Sequence, residues 1–414
     1  MTRSNLSRRS VLAAAGGLGL TVSFMARAAF ADDAVSRRKL ITIVARGGMD
    51  GLSVSPPVGD PDYAGLRGRI AIPAAAALKL DSTFALHPAL AGVHALALKG
   101  QARIAPAIAS PDRARSHFEA QDVLESGGTV VYGTNSGFLN RALTAAGGRK
   151  VEALSVGATA PLILRGPTQA ASWSPGPVGQ GSPRLPGILA DLYANDPMLA
   201  SALASVLQTE AMAATAQGGM SGMDPNAPAA QSGGGGVAGF VRQGQATARS
   251  LGKTVAGFMV QPNGPQIVAI SVDGWDTHAN QGAAEGQLAT RLLYLDALLV
   301  GLNEGLGATW SDTMVVVATE FGRTARVNGT SGTDHGTGST ALVLGGALKS
   351  GGIIGDWPTL RADALFEGRD TRPTLDMRGL FKGVLADHMG LDRTALDSAV
   401  FPGSGGVRPV TGLV

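Results

Sequence analysis

Apolar positions along the chain fall in short unbroken runs, each stopped by a glycine-rich polar loop. Leu40-Ile41-Thr42-Ile43-Val44-Ala45 ends in Arg46-Gly47-Gly48-Met49-Asp50-Gly51. The same grammar recurs at Ile267–Val272, followed by Asp273-Gly274-Trp275-Asp276, and at Met314–Ala318, followed by Thr319-Glu320-Phe321-Gly322. Runs of this length without polar alternation read as strands buried on both faces, the signature of a parallel sheet. Between the last two, Leu288, Leu292, Leu295, Leu299 and Leu302 recur at helical spacing and predict a helix over Glu285–Leu306. Strand, helix and strand in that order predict βαβ units and an α/β layer fold. Further strands are predicted near Ile104–Ile108, Val151–Val156 and Ala341–Leu344, and helices over Leu189–Met212, Phe240–Val260 and Asp376–Met389. Residues 217–239, rich in glycine, bury too little apolar surface to order themselves and read as a flexible surface insertion.

The first thirty-one residues have a different pattern. Arg8-Arg9 precedes an apolar run from Val11 to Met25, and Ala29-Phe30-Ala31 closes the segment before Asp32-Asp33. A basic start, a short apolar run and an A-x-A site make a secretory signal, and the paired arginine assigns it to the twin-arginine route for folded proteins. The run is too short and too broken by glycine to rank as a membrane span. The expectation is a signal over 1–31, a single domain over 32–414 and a periplasmic location, with the twin-arginine machinery as export partner and no stable membrane anchor. Arg3, Arg8, Arg9 and Arg27 lie in that segment without an acid, so the formal charge of +3 becomes −1 after cleavage. A near-neutral chain offers no electrostatic footprint for nucleic acid. With no cysteine, disulfides, thiolate metal sites and a cysteine nucleophile are excluded.

The chemistry-bearing residues cluster in the loops. Asp50, Asp276 and Glu320 each follow a predicted strand, so all three converge on the edge where open α/β sheets bind ligands. Carboxylates gathered there repel unless a cation or shared protons offset them. Asp276 and His278 in one loop, and Asp334-His335 in another, offer mixed oxygen and nitrogen donors that suit a metal ion, or turns whose Asp bonds its own backbone. Arg323 either holds oxyanion oxygens or forms a salt bridge with Glu320 or another acid. Ser116-His117-Phe118-Glu119 reads as a capping box opening a helix through Glu125, and Ser116 is a cap, a nucleophile or both. His117 is a ligand or merely polar; His87 reads as structural, and His94 and His388 as solvent or core residues.

The stretches Arg46–Ser53, Ser116–Asp122, Gly274–Asn280, Glu320–Thr324 and Gly332–Gly336 together resemble an exported bacterial family, the domain of unknown function 1501. That family is similar to the alkaline phosphatase superfamily. The resemblance implies an alkaline-phosphatase-like core, a mostly parallel sheet with helices on both faces. It further implies one or two divalent ions (zinc, manganese or calcium) held by Asp50, Asp276, His278, Glu320, Asp334 and His335. Ser116 would be the nucleophile and Arg323 the oxygen holder. The superfamily usually separates the Asp–His pair by three residues rather than one, and follows the later acid with His rather than Phe321. No C/S-x-P-x-R motif is present, which sets the formylglycine sulfatases aside. The resemblance implies a metal-dependent hydrolase of phosphate or sulfate esters, on a small-molecule or polymer substrate. The alternative is a non-catalytic exported binding or assembly protein with a degenerate site.

Overall fold

The computed structural model describes residues 37–146, 153–156, 161–168, 170–173, 237–262, 264–349 and 351–414. The predicted signal, the predicted helix over 189–212 and residues 217–236 of the glycine-rich stretch lie outside them. Ten strands are described: β1 (Lys39–Arg46), β2 (Leu78–Lys79), β3 (Ala85–Leu86), β4 (Ala102–Ala109), β5 (Ala153–Val156), β6 (Ala171–Trp173), β7 (Ile267–Asp273), β8 (Thr313–Ala318), β9 (Ser339–Leu344) and β10 (Leu375–Asp376). Strands β2 and β3 form a small antiparallel pair, and the other eight form one sheet in the order β10-β4-β9-β8-β1-β7-β5-β6. Every pairing in that sheet is parallel except the two made by β9, which runs against its neighbours β8 and β4.

Helices cover both faces, which is why the strands carry no polar alternation. Six matter here: α1 (Ala91–Leu98), α2 (His117–Ser126), α3 (Phe138–Ala145), α4 (Val237–Met259), α5 (Gln287–Leu306) and α6 (Met377–Gly383). In β1, Ile41, Ile43 and Ala45 pack with Val255, Phe258, Leu295 and Leu299 of α4 and α5. Leu40 and Val44 point the other way, into a core shared with Leu124, Phe138, Leu139 and Leu380. The expected α/β class, with a mostly parallel sheet between helical layers, is what the chain adopts. Helix α4 starts at Val237, so the last three residues of the predicted insertion, 237–239, are helical instead; they continue the pattern of a helix of 23 residues. The late helix predicted to Met389 leaves α-geometry after Gly383, where Val384–His388 forms a π turn.

This topology decides where the chemistry can be. Strands β1, β4, β7 and β8 are parallel, so the loops after them leave from one edge of the sheet. Because β9 is antiparallel, the loop before it lies at that same edge. Asp50, Ser116, Asp276, Glu320 and His335 therefore gather there, although 285 positions separate the first from the last.

Candidate metal centre

Two loops are fixed first. Trp275 is fully buried and its backbone N–H donates to the Arg46 carbonyl at 3.2 Å, which nails the Asp273–His278 loop against the end of β1. Gly47 sits at φ +121°, and a Cβ there would lie 2.6 Å from the Asp276 nitrogen, so only glycine permits this approach. The Glu320–Thr324 and Thr333–Thr337 loops pair with each other: Gly336 N–H donates to Gly322 O at 2.8 Å, and Thr324 N–H to Asp334 O at 2.9 Å.

Asp276 is the hub these loops create. Its Oδ1 lies 2.6 Å from Arg323 Nη1, 2.9 Å from His278 Nε2 and 3.3 Å from His335 Nε2; its Oδ2 lies 3.4 Å from His117 Nε2. Burial works to raise the Asp276 pKa, but the Arg323 hydrogen bond and charge outweigh it and hold the carboxyl below its usual range. Donor atoms of His117, Asp276 and His335 all lie within 4.8 Å of one another. His278 Nε2 stands 3.0 Å from His335 Nε2 and completes a third imidazole at the same point.

The far nitrogens of two of these rings settle their tautomers. Glu320 is fully buried; burial works against its charge, yet the His117 hydrogen bond and further donors keep its pKa below normal. It is therefore an acceptor only, and His117 Nδ1 must donate to its Oε1 at 2.9 Å. Gly47 N–H and the Gln121 amide donate to the same oxygen at 2.8 and 3.1 Å. His335 Nδ1 donates to the Arg115 carbonyl at 2.9 Å. In the neutral rings both Nε2 atoms are then bare lone pairs turned toward Asp276, and His117 Nε2 is buried with no hydrogen-bond partner among the described residues. The Glu320 hydrogen bond raises the His117 pKa, whereas burial lowers that of His335.

The other residues read from the sequence fall around this hub. Asp334 lies behind His278, 3.5 Å from its Nδ1. Of the readings open for Arg323, the structure shows the salt bridge, with Asp276 rather than Glu320. Its remaining bonds run to the Thr333 hydroxyl at 3.1 Å and the Thr333 carbonyl, so the buried guanidinium is largely occupied. Glu320 stands behind His117, with its Oε1 taken by three donors. Asp50 lies away from the hub in a buried network, its Oδ2 ion-paired with Arg67 and accepting from Ser53 Oγ at 2.8 Å and Gln281 Nε2 at 2.6 Å. Ser116 precedes α2 as read, but its side chain makes no capping hydrogen bond, so the capping box does not form. Its backbone, extended at φ −103° and ψ 126°, lets the dipole of α2 begin one residue before the His117 ring. Half-buried Ser116 sits between Arg115, whose carbonyl holds His335, and His117 itself. Of the other histidines, His87 and His388 are buried and bonded to backbone.

Two participants escaped the sequence reading. His117 reads from the sequence as a ligand or merely polar, and its pairing with Glu320 spans 203 positions, which leaves no local signal. Gln281, which joins Asp50 to Thr333, carried no motif signal.

The family model for a protein of unknown function, DUF1501, matches residues 37–400. The chain belongs to the DUF1501 family. A search of curated proteins finds no match. Among solved structures, this DUF1501 chain is similar to the C-terminal periplasmic domain of EptC from Escherichia coli in complex with zinc. That match has 11% identity and a TM-score of 0.37, covering 89% of this chain and 87% of that one. It is also similar to a phosphonate monoester hydrolase of Agrobacterium radiobacter (11% identity, TM-score 0.37, 86% and 74% covered). A third is the lipoteichoic acid synthase LtaP from Listeria monocytogenes (8% identity, TM-score 0.33, 77% and 68% covered). Overlaps this loose carry no chemistry over to DUF1501. No helix among the described residues is long and apolar enough to cross a membrane.

Proposed function

We propose that this protein is an exported, divalent-metal-dependent hydrolase of phosphate or sulfate esters, with one ion held by His117, Asp276, His278 and His335. The supporting observation is the pair of Nδ1 hydrogen bonds that leave the Nε2 lone pairs of His117 and His335 aimed at the Asp276 carboxylate. Carboxylate–histidine and carbonyl–histidine pairs of this kind orient metal ligands. Nitrogens around a tetrahedral zinc sit about 3.3 Å apart, close to the 3.0 Å between His278 and His335. Three imidazoles and one carboxylate suit zinc or manganese; calcium takes six to eight oxygens, which this group lacks.

An ion bound there supplies Lewis acidity to an ester oxygen. The chain supplies the rest. Ser116, at the N-terminus of the ten-residue α2, has its hydroxyl where the helix dipole favours negative charge. In the proposed reaction Ser116 Oγ bonds to phosphorus or sulfur as the ester oxygen leaves with the bonding electrons and takes up the proton the hydroxyl gives up; a water oxygen then bonds to the same centre, the bond to Ser116 Oγ breaks, and a water proton restores the hydroxyl. Arg323 positions Asp276, and Glu320 positions His117.

One observation favours the binding-protein alternative: Asp50 and Glu320, ligands by the superfamily resemblance, are spent on Arg67 and His117. Elemental analysis of protein purified without chelator separates the two readings when joined to a screen of phosphate and sulfate esters. One equivalent of zinc or manganese, lost in Asp276→Ala, together with turnover supports the hydrolase. Metal without turnover of any ester supports the binding protein, and so does absence of stoichiometric metal, which also sinks the metal site.

A further inference from the structure

Helix α2 has two working faces. His117 looks toward Asp276 and Gln121 donates to Glu320 behind it, and the next strip of the same helix, Phe118, Asp122 and Glu125, lines an open cavity of about 480 Å³. Gln121 belongs to both, and Arg46, on the cavity wall, immediately precedes the Gly47 whose N–H grips Glu320. The cavity therefore adjoins the candidate centre, and its volume is in the range of small-molecule pockets.

Its chemistry narrows what fits. The cations Arg46 and Arg165 are matched by the acids Asp122 and Glu125, so the formal charge of the wall cancels. Arg46 is paired with buried Glu125, whose other oxygen accepts from Ile163 N–H at 3.0 Å. A net anion finds no surplus positive charge here, and a hydrocarbon would strip water from charged groups without replacing their hydrogen bonds. A neutral molecule rich in hydroxyls can bond such fixed donors and acceptors. Arg46 Nε is a buried donor with no partner among the described residues.

The mouth carries two rings. Phe118 is 80% exposed and Tyr132 68% exposed, and both line the cavity. Tyr132 is held at φ +55°, a conformation that costs a β-carbon residue strain, and its N–H is pinned by Asp122 Oδ2 at 2.7 Å. Strain that presents an exposed ring beside a candidate active centre points to use. Flat apolar faces above a hydroxyl-binding wall suit the C–H faces of a sugar ring.

Resting on the hydrolase reading for its role, we infer that this cavity binds a neutral sugar unit carried by the ester substrate. The test measures sugar binding apart from catalysis. Saturation-transfer NMR on the full metal-loaded chain would use glucose, galactose, mannose, N-acetylglucosamine, maltose and cellobiose as probes. At least one should bind with a dissociation constant below about 10 mM. Phe118→Ala combined with Tyr132→Asn, Asn being tolerant of positive φ, should weaken it about tenfold or more. Thermal melting confirms that the double variant is folded. Binding of none of the six, or binding indifferent to the two rings, overturns the assignment, as does capture of inorganic phosphate alone. Hydrolysis of p-nitrophenyl phosphate and p-nitrophenyl sulfate is followed in parallel. Sugar binding without ester turnover removes the hydrolase and keeps the cavity, whereas turnover without sugar binding does the reverse.

Discussion

Replacing Glu320 by Gln isolates what the carboxylate behind His117 contributes. The amide is nearly isosteric, and its oxygen can still accept from Gly47 N–H, Gln121 and His117 Nδ1 at the Oε1 position. Its NH2 can face Thr319 Oγ1, which lies 3.0 Å from the present Oε2. The fold should therefore hold, and what changes is the charge. Glu320 is fully buried, so water does not screen the loss. A charge-assisted hydrogen bond is roughly twice as strong as a neutral one, a difference of about 1–1.5 kcal/mol. Passed to the basicity of His117 Nε2, that predicts about tenfold weaker zinc binding, the lower end of the effects known for such outer partners. Competition against a chromophoric chelator reads the affinity directly. As a check, the zinc-induced stabilisation should fall by about 1.4 kcal/mol at saturating metal. Affinity within twofold of wild type in a folded variant would refute the second-layer role. A loss beyond about a thousandfold would make Glu320 a direct ligand, as the superfamily resemblance implies.

Because Ser116 makes no capping hydrogen bond, Ser116→Ala should shift urea-denaturation stability by no more than about 0.5 kcal/mol while abolishing ester turnover; retained turnover would remove it as nucleophile. Gly47→Ala forces a side chain into φ +121° and against the Asp276 backbone, so it should cost at least about 2 kcal/mol and lower metal occupancy, both measurable on purified protein. His388, buried with its Nε2 on the Lys39 carbonyl, has its pKa pushed down to about 4 by burial. The unfolded chain binds this proton first, so its contribution to stability is present above about pH 6.5 and lost as pH falls toward 4. The loss totals about 3 kcal/mol. A denaturation series in His388→Gln should be flatter than wild type over that interval, and an identical slope would contradict the assignment.

Element identity was legible because the central strands are largely buried on both faces and the loops after them begin with glycine or a polar turn. The helix predicted over Glu285–Leu306 is found at Gln287–Leu306, and the three apolar runs are adjacent strands β7, β1 and β8. The reversal of β9 was not legible: Ser339–Leu344 is as fully buried as β8 beside it, and direction leaves no periodic trace in a strand covered on both sides. The short edge strands β6 and β10 offer too few residues for any period to register. At the centre, proximity of Asp276, His278 and His335 followed from strand-end placement. The division between groups aimed at the hub and groups behind them did not, because it is set by which nitrogen of each ring already has a partner.

Asp50 shows how the same placement rule can bring a residue to the edge without bringing it to the hub. It follows β1 as a metal-binding Asp would, but Arg67, 17 positions on, is fully buried against it. Two opposite charges removed from water must be paired, and breaking such a pair leaves an uncompensated charge. The pair is tied onward: Gln281 donates to Asp50, and its Oε1 accepts from Thr277 and Thr333 hydroxyls at 2.7 and 2.9 Å. Thr333 in turn accepts from Arg323 Nε, and Arg323 reaches Asp276. A continuous buried chain of hydrogen bonds thus runs from the first strand's loop to the hub, and each member fixes the rotamer of the next. Asp50 is linked to the centre through that chain, holding the Gln281 that holds the Thr333 that holds Arg323, and its sequence position alone could not distinguish this from ligation.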